Sequence, residues 1–153
     1  PQNVVIGGAA GAFPPLIGWV AVTGHASIEA WVLFLIIFLW TPPHSWALAL
    51  YRNDDYQRAN VPMLPVVSGK SSTLFQIWGY TLLLLASTAL PYVFGFMGAL
   101  YLLATSILGA GFVIANFYLT RSSNPKAPLH VFFYSIFYLF LLFAVMLADK
   151  FLV

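Results

Sequence analysis

The chain has 153 residues; 61% are hydrophobic and 7% charged, with six Lys/Arg, four Asp/Glu and a formal net charge of +2. That charged share is far below the roughly 25% of soluble domains, which excludes an ordinary soluble globule. Six basic residues are too few for a nucleic-acid-binding surface. The absence of cysteine excludes disulfides, thiolate metal sites and cysteine nucleophiles.

The apolar runs approach the ~20 residues that a helix needs to cross a bilayer. They lack the strict alternation of membrane-spanning strands. The sequence therefore predicts an all-α, polytopic transmembrane helical bundle with five spans. The first runs from about Val4 to Thr23, where Gly7 and Gly11 have the GxxxG spacing that lets helices approach closely. Pro14 and Pro15 are expected to kink or break it, because proline lacks a backbone donor and clashes with the preceding turn. The chain opens on Pro1, without a basic leader, and is expected to be a piece of a longer polypeptide rather than a processed chain.

The second span covers about Ile28 to Leu50 and carries a second proline pair, Pro42 and Pro43. The third runs from about Thr73 to Phe94, the fourth from about Ala99 to Thr120 and the fifth from about Leu129 to Leu147. The short turn at Gly95 to Gly98 makes the third and fourth an antiparallel hairpin. Residues 51–72 form the only long loop. Strict alternation places loops 51–72 and 121–128 on one side, with Arg52, Arg58, Lys70, Arg121 and Lys126. Only Lys150 lies on the other side. Basic loops stay inside, so this side is expected to be cytoplasmic, or matrix in a mitochondrion.

Two of the four acidic residues, Asp54 and Asp55, stand adjacent in YRNDDYQRANVPMLP. Charge in so apolar a chain belongs at the membrane surface or in a buried polar site. Paired carboxylates suit Mg²⁺, which takes oxygen ligands and is shared with substrate phosphates. Arg52, Arg58 and Lys70 are candidates to hold the phosphate oxygens. A plainer reading stays open: Asp54 or Asp55 with Arg58 has the spacing of a surface helix pair.

His44 follows Pro42 and Pro43 inside an apolar span, where an ionisable group is a functional candidate or a histidine satisfied by freed carbonyls. If the helix resumes after the prolines, His44, Leu48, Tyr51 or Arg52, and Asp55 share one face. His130, Tyr134 and Tyr138 form a stripe that suits either a flat or isoprenoid ligand or simple packing. Asn116 is expected to bond a neighbouring helix.

Four segments together carry a resemblance: NVVIGGAAGAFPPLIGW at 3–19, FLWTPPHSWALAL at 38–50, DDYQRANVPMLPVVSG at 54–69 and FFYSIFYLFLLFAVMLAD at 132–149. They are similar to the heme O synthase (protoheme farnesyltransferase) branch of the UbiA intramembrane prenyltransferases. Ser45 stands where the family usually has an aromatic residue, and Asn60 where it usually has glycine. Asn60 is expected to tolerate the left-handed backbone.

The resemblance implies a nine-helix bundle with two aspartate-rich motifs, of which residues 1–153 would be the C-terminal part of one domain. It implies transfer of a farnesyl group from farnesyl diphosphate to a vinyl group of heme b, in a bacterial or mitochondrial inner membrane. Asp54 and Asp55 match the second motif and would take the catalytic Mg²⁺ role. Arg52, Arg58 and Lys70 would face the diphosphate. His44, with Tyr134 and Tyr138, would face the heme, His44 as a candidate axial ligand. The first motif has no counterpart here, so the missing N-terminal half would be a partner and the fragment inactive alone. The competing readings are a UbiA-type enzyme with a quinone-like acceptor and a non-enzymatic transport or assembly subunit.

Overall fold

A computed structural model describes residues 2–152, and among them all regular structure is helical. Six helices follow in order: α1 (Asn3–Thr23), α2 (Ile28–Tyr51), α3 (Asn53–Arg58), α4 (Leu64–Val93), α5 (Ala99–Arg121) and α6 (Ala127–Leu152). Five of them, all but α3, are long and apolar enough to cross a membrane. The chain is a polytopic helical membrane bundle. Helix α2 is its axis and packs on α1, α4 and α6, while α4–α5 and α5–α6 contacts close the far side. Large apolar side chains such as Phe75, Ile107, Phe133 and Phe140 remain exposed along the spans. Apolar faces of this kind carry no hydrophobic penalty against acyl chains or another apolar helix.

Both proline pairs are carried inside unbroken helices. The expected break in α1 does not occur, because neighbouring helices and local adjustments accommodate prolines within membrane helices. Around Pro42 and Pro43, both buried, the Thr41 hydroxyl donates to Ile37 O at 2.9 Å. The close approach of α1 to α2 is made by Gly8, not by Gly7 and Gly11. A side chain at Gly8 would press on Thr41, whereas Gly7 and Gly11 have open space beside them.

The region read as one long loop is largely helical. Helix α4 begins at Leu64 and contains a break at Gly69, whose φ of 77° and ψ of 172° lie outside the helical region. Asn60 does take the left-handed conformation, with φ 51°. The α4–α5 turn is short, as expected, and Gly95 supplies its positive φ of 75°.

A buried carboxylate closes the end of the bundle opposite α3. Asp149 on α6 is 1% exposed and accepts hydrogen bonds from Gly98 N at 2.5 Å and Tyr101 N at 3.2 Å. These amides begin α5 and have no partner within their own helix. Asn116 bonds across helices as expected, its Nδ2 donating to Thr81 Oγ1 at 2.9 Å.

Candidate active site

Helix α2 ends at Tyr51, and Arg52 turns the chain with φ −97° and ψ 22°. The short helix α3 follows, so His44 and Asp55 lie on different helices and the expected shared face does not form. Asp54 and Asp55 occupy the first turn of α3 and Arg58 its last. This order complements the helix dipole, with negative charge at the N-terminus and positive charge at the C-terminus.

The two carboxylates have different surroundings. Asp55 accepts from Arg52 Nη1 at 3.2 Å, with both side chains more than half exposed. Such an exposed pair contributes about 0–1 kcal/mol. It replaces the pairings with Arg58 that the spacing allowed. Asp54 instead lines a cavity of about 300 Å³ together with Asn53, Tyr51, Lys70 and the loop residues Ser122 to Asn124. The ends of α2 and α5 and the starts of α4 and α6 therefore meet around Asp54 and Lys70.

Lys70 reaches this wall because Gly69 breaks the helix immediately before it. Thr73 Oγ1 then donates to Gly69 O at 2.8 Å and ties the new turn. Neither Arg52 nor Arg58 is part of the cavity wall. Asn53, which sequence reasoning passed over, brings a side-chain oxygen that is buried and without a partner among the described residues. No group of three or more His, Cys, Asp or Glu side chains suited to a metal ion occurs among the described residues. What the cavity wall offers is one hard oxygen donor group, the Asp54 carboxylate, beside a lysine ammonium. Mg²⁺ accepts such a partial set when phosphate oxygens complete it.

His44 lies seven residues before the end of α2, about 10 Å of helix rise from Tyr51. Its ring is stacked on Trp40 at 4.3 Å and on Phe132 of α6 at 4.5 Å. Its Nδ1 is 2.7 Å from Ser135 Oγ. Tyr134 and Tyr138 have other neighbours. The Tyr134 hydroxyl donates to Leu108 O of α5 at 2.7 Å, and both tyrosine rings pack against Phe112. None of their ring or hydrogen-bond contacts includes His44. The exposed His130 ring sits 5.6 Å from that of Tyr118.

Residues 1–146 match the UbiA prenyltransferase family. The chain belongs to that family. Among curated relatives, the UbiA chain is 59% identical to the protoheme IX farnesyltransferase of Parvibaculum lavamentivorans, over 99% of its own length and 49% of the relative's. It is 55% identical to the protein of that name from Ectopseudomonas mendocina, over 99% and 51% of the two lengths. For the one from Alcanivorax borkumensis the values are 53%, 99% and 50%. The chain thus spans about half the length of the curated relatives it matches. No solved structure matches it. Within the family, sequence reasoning reached Asp54 through the scarcity of charge. It missed Asn53, Trp40 and Ser135, whose roles appear only when α2, α3 and α6 are brought together.

Proposed function

We propose that the polypeptide carrying this chain transfers a farnesyl group from farnesyl diphosphate to a vinyl group of heme b, giving heme O and diphosphate. The observation that carries this reading is the identity of 53–59% along nearly the whole chain to relatives named protoheme IX farnesyltransferase. The polar end around Asp54 and Lys70, set above an apolar bundle, supports it.

In the reaction the allylic C–O bond of farnesyl diphosphate breaks, and its electron pair leaves with the diphosphate. The terminal carbon of the heme vinyl group bonds to C1 of the farnesyl group. Water adds its oxygen to the other vinyl carbon and gives up a proton. Asp54 would hold Mg²⁺ from the cavity wall, whereas Asp55 lies outside that wall and pairs with Arg52. When bound, that ion offsets the charge on the diphosphate. Lys70 pairs with phosphate oxygens from the cavity wall, and Arg58 does so from the end of α3.

The rest of the polypeptide supplies the other acidic cluster that completes the site. His44 faces the heme, whereas Tyr134 and Tyr138 hold α5 against α6. The end bearing α3 faces the cytoplasm of a bacterial inner membrane, consistent with its five basic residues. The test is to incubate the full-length protein in membranes with farnesyl diphosphate, heme b and Mg²⁺ and to analyse the haem products by mass spectrometry. Heme O formation that stops on chelation is expected. Farnesylation of a quinone-like acceptor in place of heme would overturn the assignment.

A further inference from the structure

The contacts of His44 determine which ring nitrogen carries its proton. Ser135, fully buried on α6, has its Oγ 2.6 Å from Phe132 O and 2.7 Å from His44 Nδ1. A serine hydroxyl has one hydrogen, and a carbonyl oxygen only accepts. The serine hydrogen therefore goes to Phe132 O, and the hydrogen between the imidazole and Ser135 comes from Nδ1. In a neutral imidazole this leaves Nε2 as a bare lone pair.

The ring has little freedom to turn away. Trp40 and Phe132 lie nearly parallel to it, at 18° and 23°, and two stacked neighbours at such distances occupy opposite faces. Trp40 is itself fixed, because its Nε1 donates to Ser135 O at 2.8 Å. Ser135 thus holds the histidine through its hydroxyl and one of the flanking rings through its carbonyl. Among the described residues Nε2 has no hydrogen-bond partner, and it is not one of the buried polar atoms left without one, so it keeps some accessible surface.

We propose that Ser135 is a positioning residue that locks His44 as the Nδ1–H tautomer and so presents Nε2 as a ligand to the iron of the heme substrate. The proposal rests on the reading of His44 as the residue facing heme. A histidine that ligates a metal donates its other N–H to an acceptor, which fixes its orientation and raises its basicity. Here the acceptor is a hydroxyl oxygen whose own hydrogen is already committed.

Titration of ferric heme b into the purified full-length protein, followed by the Soret absorbance, tests this without turnover. Ser135→Thr and Ser135→Val have similar volume and differ in the hydroxyl. The Thr variant is expected to keep the wild-type spectrum. The Val variant is expected to bind heme about 10- to 100-fold more weakly, the usual cost of losing such a partner. His44→Ala should lose the imidazole-ligated spectrum, and added imidazole should restore it. If Val and Thr bind heme alike while His44→Ala changes the spectrum, Ser135 has no positioning role and the reading of His44 stands. If His44→Ala leaves the spectrum unchanged, the reading of His44 itself fails. Should both Ser135 variants misfold, Ser135→Ala with the hydroxyl removed and no added bulk gives the same comparison.

Discussion

Replacing Asp149 tests how the bundle is closed at the end away from the proposed chemistry. Asp149→Ala removes the acceptor for two amides at the N-terminus of α5, Gly98 N of its cap and Tyr101 N of its first turn, from a site that is 1% exposed. Water does not readily replace the carboxylate there. Each charge-assisted bond is worth about 1.5–3 kcal/mol, and an orphaned buried donor costs a comparable amount. Burying the carboxylate offsets part of that gain. A net destabilisation of about 2–4 kcal/mol follows for Asp149→Ala, since two such bonds are lost. Asp149→Asn keeps one acceptor oxygen but turns an amide N–H₂ toward the second donor, so about half the loss is expected. Unfolding of the full-length protein in mixed micelles, followed by tryptophan emission, should rank wild type above Asn and Asn above Ala. The KM for farnesyl diphosphate at a permissive temperature should stay unchanged, because Asp54 lies at the other end of the bundle. An Ala variant as stable as wild type, or an Asn variant less stable than Ala, would refute the capping role.

The remaining predictions concern the polar end. Asp54→Asn should lower Mg²⁺-dependent heme O formation by about 10²-fold or more, as expected for loss of an electrostatic catalytic group. Asp55→Asn should cost about fivefold or less, since its exposed pair with Arg52 is worth so little; a larger effect at Asp55 would reverse the assignment. Lys70→Ala should raise the KM for farnesyl diphosphate about tenfold, the equivalent of one charge-assisted bond, with Arg52→Ala close to wild type. Steady-state kinetics on both variants decides between the cavity wall and the flanking arginine. Gly69→Ala forces a side chain into the glycine-only region at φ 77° and ψ 172°, at about 1–3 kcal/mol, and should weaken diphosphate binding by turning Lys70. Gly69→Asn should do as much harm in the same binding assay, because asparagine tolerates the left-handed helical region and not this one, and wild-type binding by either variant would argue against a backbone cause.

Much of the fold was legible because the physics of spanning is one-dimensional. An apolar run of sufficient length must be a helix in lipid, so the ends of α1, α2 and α5 fell within a residue or two of their expected places. The start of α4 was not legible. Ser68, Gly69, Lys70, Ser71 and Ser72 have loop composition, yet only Gly69 departs from helical geometry. The rotation of α1 was equally hidden. With apolar residues all round, nothing in the sequence separates a Gly8 contact from a Gly7 contact; only the neighbouring helix does.

The site divides along the same line. Asp54 could be read because carboxylates are scarce and costly in this setting, but its difference from Asp55 depends on where Arg52 turns the chain. Ser135 shows why the deeper part stayed out of reach. Hydroxyls in the spans mostly return to a carbonyl of their own helix, as Thr41, Thr105, Ser106 and Thr120 do. Ser135 obeys that habit by donating to Phe132 O. Such a back-bond ordinarily just satisfies a polar group in lipid. Here it also consumes the one hydroxyl hydrogen and leaves the oxygen able only to accept, with His44 lying 91 positions away in sequence against it. An ordinary local bond thereby sets the proton position on a distant imidazole. Removing the hydroxyl should therefore disturb heme ligation even though Ser135 itself never meets the substrate.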